Sequence, residues 1–270
     1  MKKILFATDF SEASDNAFEY LKGFIGNHAV QVDLMHVYNL PVSSTAAVDS
    51  DILVAFMEEH KSKHRSILDK MQDSLHPDQR GVTHVISGVY PSTEIAEIAE
   101  DIETDLVVMA MRRHYSLLER ILGTTTANAI QKSRTNVLAI PNGSKYEGIT
   151  TVLLPTDAER ASGFVEANEF ALHRLVELWK LEDTPSFHIL HVSEDEGVTV
   201  TYRDRPFAPL SFTVSHASSV HNGIIDFMRD RNMDMIAVNK VDRQFWERLF
   251  HSSMTRKLLY ESRRPLLVYV

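Results

Sequence analysis

The stretch Ile4-Leu5-Phe6-Ala7-Thr8-Asp9-Phe10-Ser11 decides the fold, because the chain writes it twice. The second copy is Val152-Leu153-Leu154-Pro155-Thr156-Asp157, with Ser162 a little further on. Each is a short apolar run of the kind that forms a strand buried on both faces. Each ends in a Thr-Asp pair and opens into a Ser-bearing helix start. A carboxylate at the carboxyl end of such a strand stands where open α/β sheets place their ligands. The recurrence marks a duplication, and it directs attention to Asp9 and Asp157, which read as ligand-binding acids or as helix N-terminal caps, two compatible roles.

Working outward, Lys3–Thr8 reads as a strand and is followed by a helix with Ala13, Ala17, Leu21 and Phe24 on one face. Gly26-Asn27 stops that helix, and Gln31–Val37 forms a second strand. After a polar connection over Pro41–Ser50, a long helix carries Leu53, Met57, His60, His64, Ile67 and Met71 along one stripe. Thr83–Ser87 is a short strand, and Pro91-Ser92 opens a helix with Ile95, Ile98, Ala99 and Ile102 inward. Leu106–Ala110 is a strand buried on both faces, Thr124–Lys132 a helix, and Val137–Ile140 the last strand of this half. Pro141-Asn142-Gly143-Ser144 is turn-forming and marks a boundary.

The second half repeats this order. Val152–Leu154 is a strand, Phe164–Trp179 a helix with Ala167, Ala171, Leu175 and Leu178 inward, and Phe187–Val192 a strand in which His191-Val192 stands where His36-Val37 did. Phe212–Ser215, a helix with Ile224, Phe227 and Met228, Met235–Val238 and Pro265–Val270 follow. One element is missing: a polar, Pro-containing stretch between Ser193 and Ser211 replaces the long His60/His64 helix.

Strands alternating with helices, joined by connections too long for hairpins, require parallel pairing. The expected architecture is therefore α/β, with two tandem Rossmann-like domains over residues 1–143 and 148–270. Each is a mostly five-stranded parallel sheet with helices on both faces. The two halves are expected to pack as a pseudo-two-fold pair, and further assembly into a homodimer stays open.

Composition narrows the function. A formal net charge of −9 argues against nucleic acid, whose binders carry a basic face. The chain has 0 cysteines, so neither disulfides nor thiolate metal sites exist, which fits a reducing, cytoplasmic setting. The run after Met1-Lys2-Lys3 ends by Ala7, too short for a secretory signal, and no stretch is long enough to span a membrane.

His60 and His64 lie one helical turn apart beside Glu59, a spacing that can bind zinc. They lack a third ligand and sit on an apolar stripe, so packed histidines are the expectation and no metal site is assigned. Glu119-Arg120 and Glu247-Arg248 recur as a repeated ion pair or interface contact, and Met109, Met111, Met233 and Met235 read as core or pocket wall. No nucleophile elbow, cysteine nucleophile or P-loop is present, so no catalytic residue is assigned.

Taken together, "KKILFATDFSEAS", "LMHVYN" with its echo "ILHVSE", and "TDLVVMAMRRHYSLLERILGTTTANAIQKSRTNVLAIP" with its counterpart "MDMIAVNKVDRQFWERLFHSSMTRKLLYESRRPLLVYV" resemble the universal stress protein family in its tandem-domain form. The resemblance implies an adenine nucleotide alpha hydrolase-like fold. In members that bind ATP or AMP, it implies an Asp after the first strand and a Val after the second that hold the adenosine. A G-x-x-G, followed after a spacer by G-[S/T], wraps the phosphates, because glycine lets backbone N–H groups and a helix N-terminus approach them.

Carried onto this chain, the resemblance assigns Asp9, Val37, Met109, Gly123, Thr124 and Thr125 to a first-half site, with Ala110 and Arg113 in the two leading glycine positions. Ala110 adds one methyl group. Arg113 either fills the pocket or, with Arg112, supplies charge to a phosphate. In the second half Asp157, Val192, Ser252 and Ser253 remain, while Asn239 and Asp242 replace the glycines and His251 the next, so that site is expected to be degenerate. The resemblance thus implies a non-enzymatic stress-response regulator or protective factor with an ATP or AMP site in the first domain, the only metal being nucleotide-bound magnesium. A nucleotide-independent small-molecule carrier or interaction scaffold is the alternative, and a weak ATPase the third.

Overall fold

In a computed structural model of the chain, which describes residues 1–39, 50–111, 124–156, 175–176, 184–194, 210–240 and 264–270, β1 (Lys3–Thr8) is flanked by parallel strands on both sides. These are β2 (Gln31–Tyr38) and β4 (Leu106–Met111). With a helical layer on either face as well, nothing in Ile4-Leu5-Phe6 can reach water, and all three are 0% exposed. That geometry is the reason the quoted stretch is apolar without alternation.

Outside these lie β3 (Arg80–Ser87), parallel to β2, and β5 (Asn136–Pro141), parallel to β4. The later strands are β6 (Thr151–Thr156), β7 (Ser186–Ser193), β8 (Leu210–His216), β9 (Met235–Asn239) and β10 (Leu266–Tyr269). All ten join one sheet, in the order β3-β2-β1-β4-β5-β10-β9-β6-β7-β8. The two halves carry the same internal order and are joined edge to edge where β5 and β10 pair antiparallel, Val137 opposite Val268. Because that pairing is antiparallel, the carboxyl-terminal edges of the two halves point in opposite directions.

The duplication is also written at the base of the sheet. Asp105 Oδ2 accepts the backbone N–H groups of Lys2 at 2.6 Å and Lys3 at 2.9 Å. Asp234 Oδ2 does the same for Thr150 at 2.9 Å and Thr151 at 3.0 Å. In each half an Asp before the fourth strand thus staples the start of the first.

Helices α1 (Glu12–Ile25) and α2 (Ser50–Asp73) cover one face of the first half. Helices α3 (Pro91–Asp101) and α4 (Thr124–Lys132) cover the other, and α5 (Val220–Arg231) lies with them in one apolar cluster. As expected, Ala13, Ala17, Leu21 and Phe24 are buried, and so are Met109, Met111, Met233 and Met235. β3 starts earlier than the Thr83 read from sequence. Gly81 makes this extension fit, since a Cβ there would fall 2.0 Å from Asp33 Oδ1 and 2.7 Å from the Val32 carbonyl.

The connection from β5 to β6 is anchored on the first half. Tyr146 packs edge-on against Tyr20, ring centroids 5.4 Å apart, in the space Gly23 leaves. The expected Phe164–Trp179 helix lies outside the described residues apart from 175–176, where Leu175 is fully buried. The trimmed stretch after Ser193, from 195 to 209, lies outside them as well.

Candidate functional site

At the carboxyl end of β1 the strand order reverses, with β2 to one side and β4 to the other. This is the switch point at which open α/β sheets leave a crevice. Asp9 emerges there, exposed, and its carboxylate is fixed by its own turn. Oδ1 accepts the Ser11 N–H at 3.1 Å, the Ser11 hydroxyl at 2.5 Å and the Ser14 hydroxyl at 2.7 Å. The N-cap of α1 is Ser11, whose hydroxyl accepts the Ser14 N–H, so capping falls to Ser11 and Asp9 braces the cap from two residues before.

Side-chain alternation sorts the remaining residues by face. Val37 and Met109 pack in the cluster under α3 and α4, and Ala7 of β1 lies opposite Met109 in register. Ala110 belongs to the opposite face, 9% exposed, and its carbonyl accepts the Thr126 hydroxyl at 2.9 Å. That bond ties α4, described from Thr124 onward, to the end of β4 on the same edge as Asp9. Arg112, Arg113 and Gly123 lie outside the described residues, as does the Thr124 side chain. The described residues at this edge are the fixed Asp9 carboxylate and the packed apolar side chains of Val37, Met109 and Ala110.

Behind the Asp9 turn is an aromatic cluster. His36 Nδ1 donates to the Thr8 carbonyl at 2.9 Å, and Phe10 stacks on the His36 ring with centroids 4.1 Å apart. His64 of α2 lies 4.6 Å from His36 and 5.2 Å from Tyr38. His60 is 6.1 Å from His64 and 4.2 Å from Phe56, further along the helix. Among the described residues no group of three or more metal-ligating side chains comes together. His60 and His64 lie among aromatic rings in this cluster. Burial lowers the affinity of His36 and His64 for protons; for His64 the charges of His36, His60 and Lys63 add to it. His36 was not singled out as functional from the sequence, although the echo of His36-Val37 in His191-Val192 carried the signal.

The second half keeps the histidine contact, His191 Nδ1 lying 3.3 Å from the Thr156 carbonyl. Its crevice differs. Val192 is 5% exposed, and Gly223 of α5 sits so close that a Cβ would fall 2.5 Å from Val192 Cγ1. Asn239 is half-buried at the end of β9, beside Tyr269 in register. Next to it Lys240 turns away from its own half, and its ammonium donates to the Ser133 carbonyl just after α4. Asp157, Asp242, His251, Ser252 and Ser253 lie outside the described residues, as do Glu119-Arg120 and Glu247-Arg248.

Comparison with known proteins agrees with this architecture. The model of the universal stress protein family matches residues 1–141. Universal stress protein MJ0577 from Methanocaldococcus jannaschii is 31% identical over 156 residues, 52% of this chain and 94% of the relative. A crystal structure of a universal stress protein from Archaeoglobus fulgidus superposes with a TM-score of 0.65 at 18% identity, covering 99% of this chain and 95% of that one. A protein of unknown function from Pseudomonas aeruginosa PAO1 does so with a TM-score of 0.62 at 10% identity, covering 100% and 92%. At those identities the two structures speak for the fold alone, but they extend it over both halves. With its first half matched by sequence and its whole length by shape, the chain belongs to the universal stress protein family.

Proposed function

We propose that the protein is a non-enzymatic stress-response regulator whose first half, residues 1–143, binds ATP or AMP at the crevice beside Asp9. The observation that carries this reading is the placement of an exposed, braced carboxylate at the switch point, on the edge where Thr126 of α4 bonds the end of β4. Asp9 would accept the ribose hydroxyls, Val37 and Met109 would wall the base, and Ala110, Arg113, Gly123, Thr124 and Thr125 would line the phosphates. The N-terminus of α4 would supply N–H donors of the kind that favour phosphate. Magnesium would arrive with the nucleotide. Residues 148–270 form, in this reading, a second and shortened domain whose site no longer binds. Gly223 against Val192 and the diversion of Lys240 into the first half support that view.

In this reading any ATP turnover would be slow, since the sequence carries neither a G-x-S-x-G elbow nor a P-loop. Arg113 in a glycine position favours a second reading, a carrier or scaffold that takes no nucleotide. Titration calorimetry with ATP, ADP and AMP at millimolar concentration separates the two. Heat that disappears in Asp9→Ala supports the nucleotide site, and no heat with any of the three removes it.

A further inference from the structure

The geometry points to His36 as the positioning residue of the Asp9 turn, and to the His36–His64 pair as a switch that weakens nucleotide binding there in mild acid. This rests on the reading of the Asp9 crevice as a nucleotide site, and it adds a regulation that the family resemblance does not supply.

The turn is held from behind by one imidazole. A carbonyl can only accept, so the proton that bridges His36 to Thr8 at 2.9 Å sits on Nδ1, and the neutral ring keeps a lone pair on Nε2. Phe10, the residue after Asp9, has φ at 57°, a left-handed conformation that is rare for a bulky side chain. Such a backbone persists only where its surroundings over-determine it. Here the surroundings are the His36 ring at 4.1 Å and the His64 ring at 5.9 Å. Asp9 therefore stands between two clamps. Ser11 and Ser14 hold its carboxylate, and His36 holds the residues on either side of it.

The ionisable groups around the pair divide by element. Asp9, from the β1–α1 turn, favours a charge on His36. His60 and Lys63, both on α2, disfavour one on His64, and the two histidines oppose each other. Tyr38 contributes a phenol from β2, and β3 brings only Val85 opposite His36 in register. His64 Nδ1 is buried with no hydrogen-bond partner among the described residues, and among them Asp9 is the anion that acts on the pair.

Protonation consequently acts on the site. A cation on His36 draws the Asp9 carboxylate away from the crevice edge, and a second cation 4.6 Å away drives α2 off Phe10. Burial holds both groups below their ordinary 6.5, so the neutral pair prevails at neutral pH and the charge arrives only as pH falls below 6.5. Affinity is full at neutral pH and declines on the acid side.

The test is ATP calorimetry on the full chain between about pH 5.5 and pH 7.5, for wild type, His36→Asn and His64→Leu. Asparagine can donate to the Thr8 carbonyl but cannot be protonated. The terminal phosphate of ATP titrates in the same range for all three proteins, so the comparison between them is the readout. Wild type should lose more affinity in acid than His36→Asn, by up to about tenfold, the ceiling for one proton coupled over about one pH unit, and His64→Leu should fall between. Equal slopes in all three, or a wild-type affinity that rises in acid, would overturn the switch and leave the nucleotide site standing.

A second measurement needs no ligand: NMR titration of the imidazole C2 protons alongside the amides of Asp9, Phe10 and Ser11. Co-titration of those amides with His36, lost in His36→Asn, supports the switch even where no nucleotide gives heat. Amides that ignore His36 would end it.

Discussion

Gly223 and Val192 occupy space that a single added methyl group would contest, since a Cβ on Gly223 would fall 2.5 Å from Val192 Cγ1 and 2.8 Å from Cγ2. Val192 is the second-half counterpart of Val37, so α5 closes down on the residue that would wall a base. In an exposed helix interior, Gly→Ala is worth up to about 1 kcal/mol of stabilisation. Here overpacking reverses the sign. Gly223→Ala should destabilise by roughly 1–3 kcal/mol in urea unfolding, and Gly223→Ala/Val192→Ala should recover part of that loss. Strict additivity of the two changes would show that they do not touch.

The Asp9 turn predicts a separation of roles. Ser11→Ala removes the N-cap of α1 and should cost about 1 kcal/mol, with weaker ATP binding because a brace on Asp9 is lost. Asp9→Asn keeps an oxygen for Ser11 and Ser14 while discarding the charge. It should leave the thermal midpoint nearly unchanged and reduce ATP binding more than Ser11→Ala does. The reverse ranking would assign Asp9 to the turn alone.

Two aspartates set the acid limb of stability. Burial pushes the Asp33 carboxyl up, but the bonds from His84 at 3.3 Å and the Val82 N–H at 2.8 Å, with the charges of His84 and Lys3, outweigh it and leave it below 3.8. Burial likewise opposes the bonds from Thr150 and Thr151 to Asp234, and the bonds prevail. A carboxyl depressed on folding contributes stability that is present above the unfolded value and lost as pH falls through the folded one. Stability should therefore drop below 3.8. Asp234→Asn should cost on the order of 1–3 kcal/mol near neutrality and flatten that drop, as urea unfolding at several pH values would reveal.

Lys240 joins the halves where β5 meets β10. Its ammonium bonds the Ser133 carbonyl, and burial lowers its affinity for a proton. Lys240→Met keeps the stem and removes the donor, leaving the carbonyl of the buried Ser133 without its charge-assisted bond. The expected loss is about 1–2 kcal/mol. It should speed hydrogen exchange at Ser133 and Asn136 more than in β1, a pattern that a purely local effect on β9 would not produce.

Much of the fold was legible because burial on both faces leaves its mark in composition. Ile4–Ala7 and Leu106–Ala110 announce central strands, and the helical stripe through Ala13, Ala17, Leu21 and Phe24 announces the face that packs on them. β3 was read short because an edge strand is covered less completely. Arg80 and Thr83 are polar, and the extension depends on Gly81 meeting Asp33, a contact far apart in the chain. The candidate site was legible at Asp9, through its position after a buried strand. The role of Ser11 as the cap was not, since Asp9, Ser11 and Ser14 are all residue types that cap or brace a helix start.

By itself the sequence determined the alternation of strands and helices, the doubling of that order and the family, because periodicity and burial act within short windows of the chain. Only the tertiary structure decided that the halves share one sheet through an antiparallel β5–β10 joint, and that their carboxyl-terminal edges face opposite ways. It also brought His64 of α2 onto His36 and Phe10 behind Asp9. Edge pairing and ring contacts form between residues distant along the chain, and local patterning fixes neither the partner nor the direction.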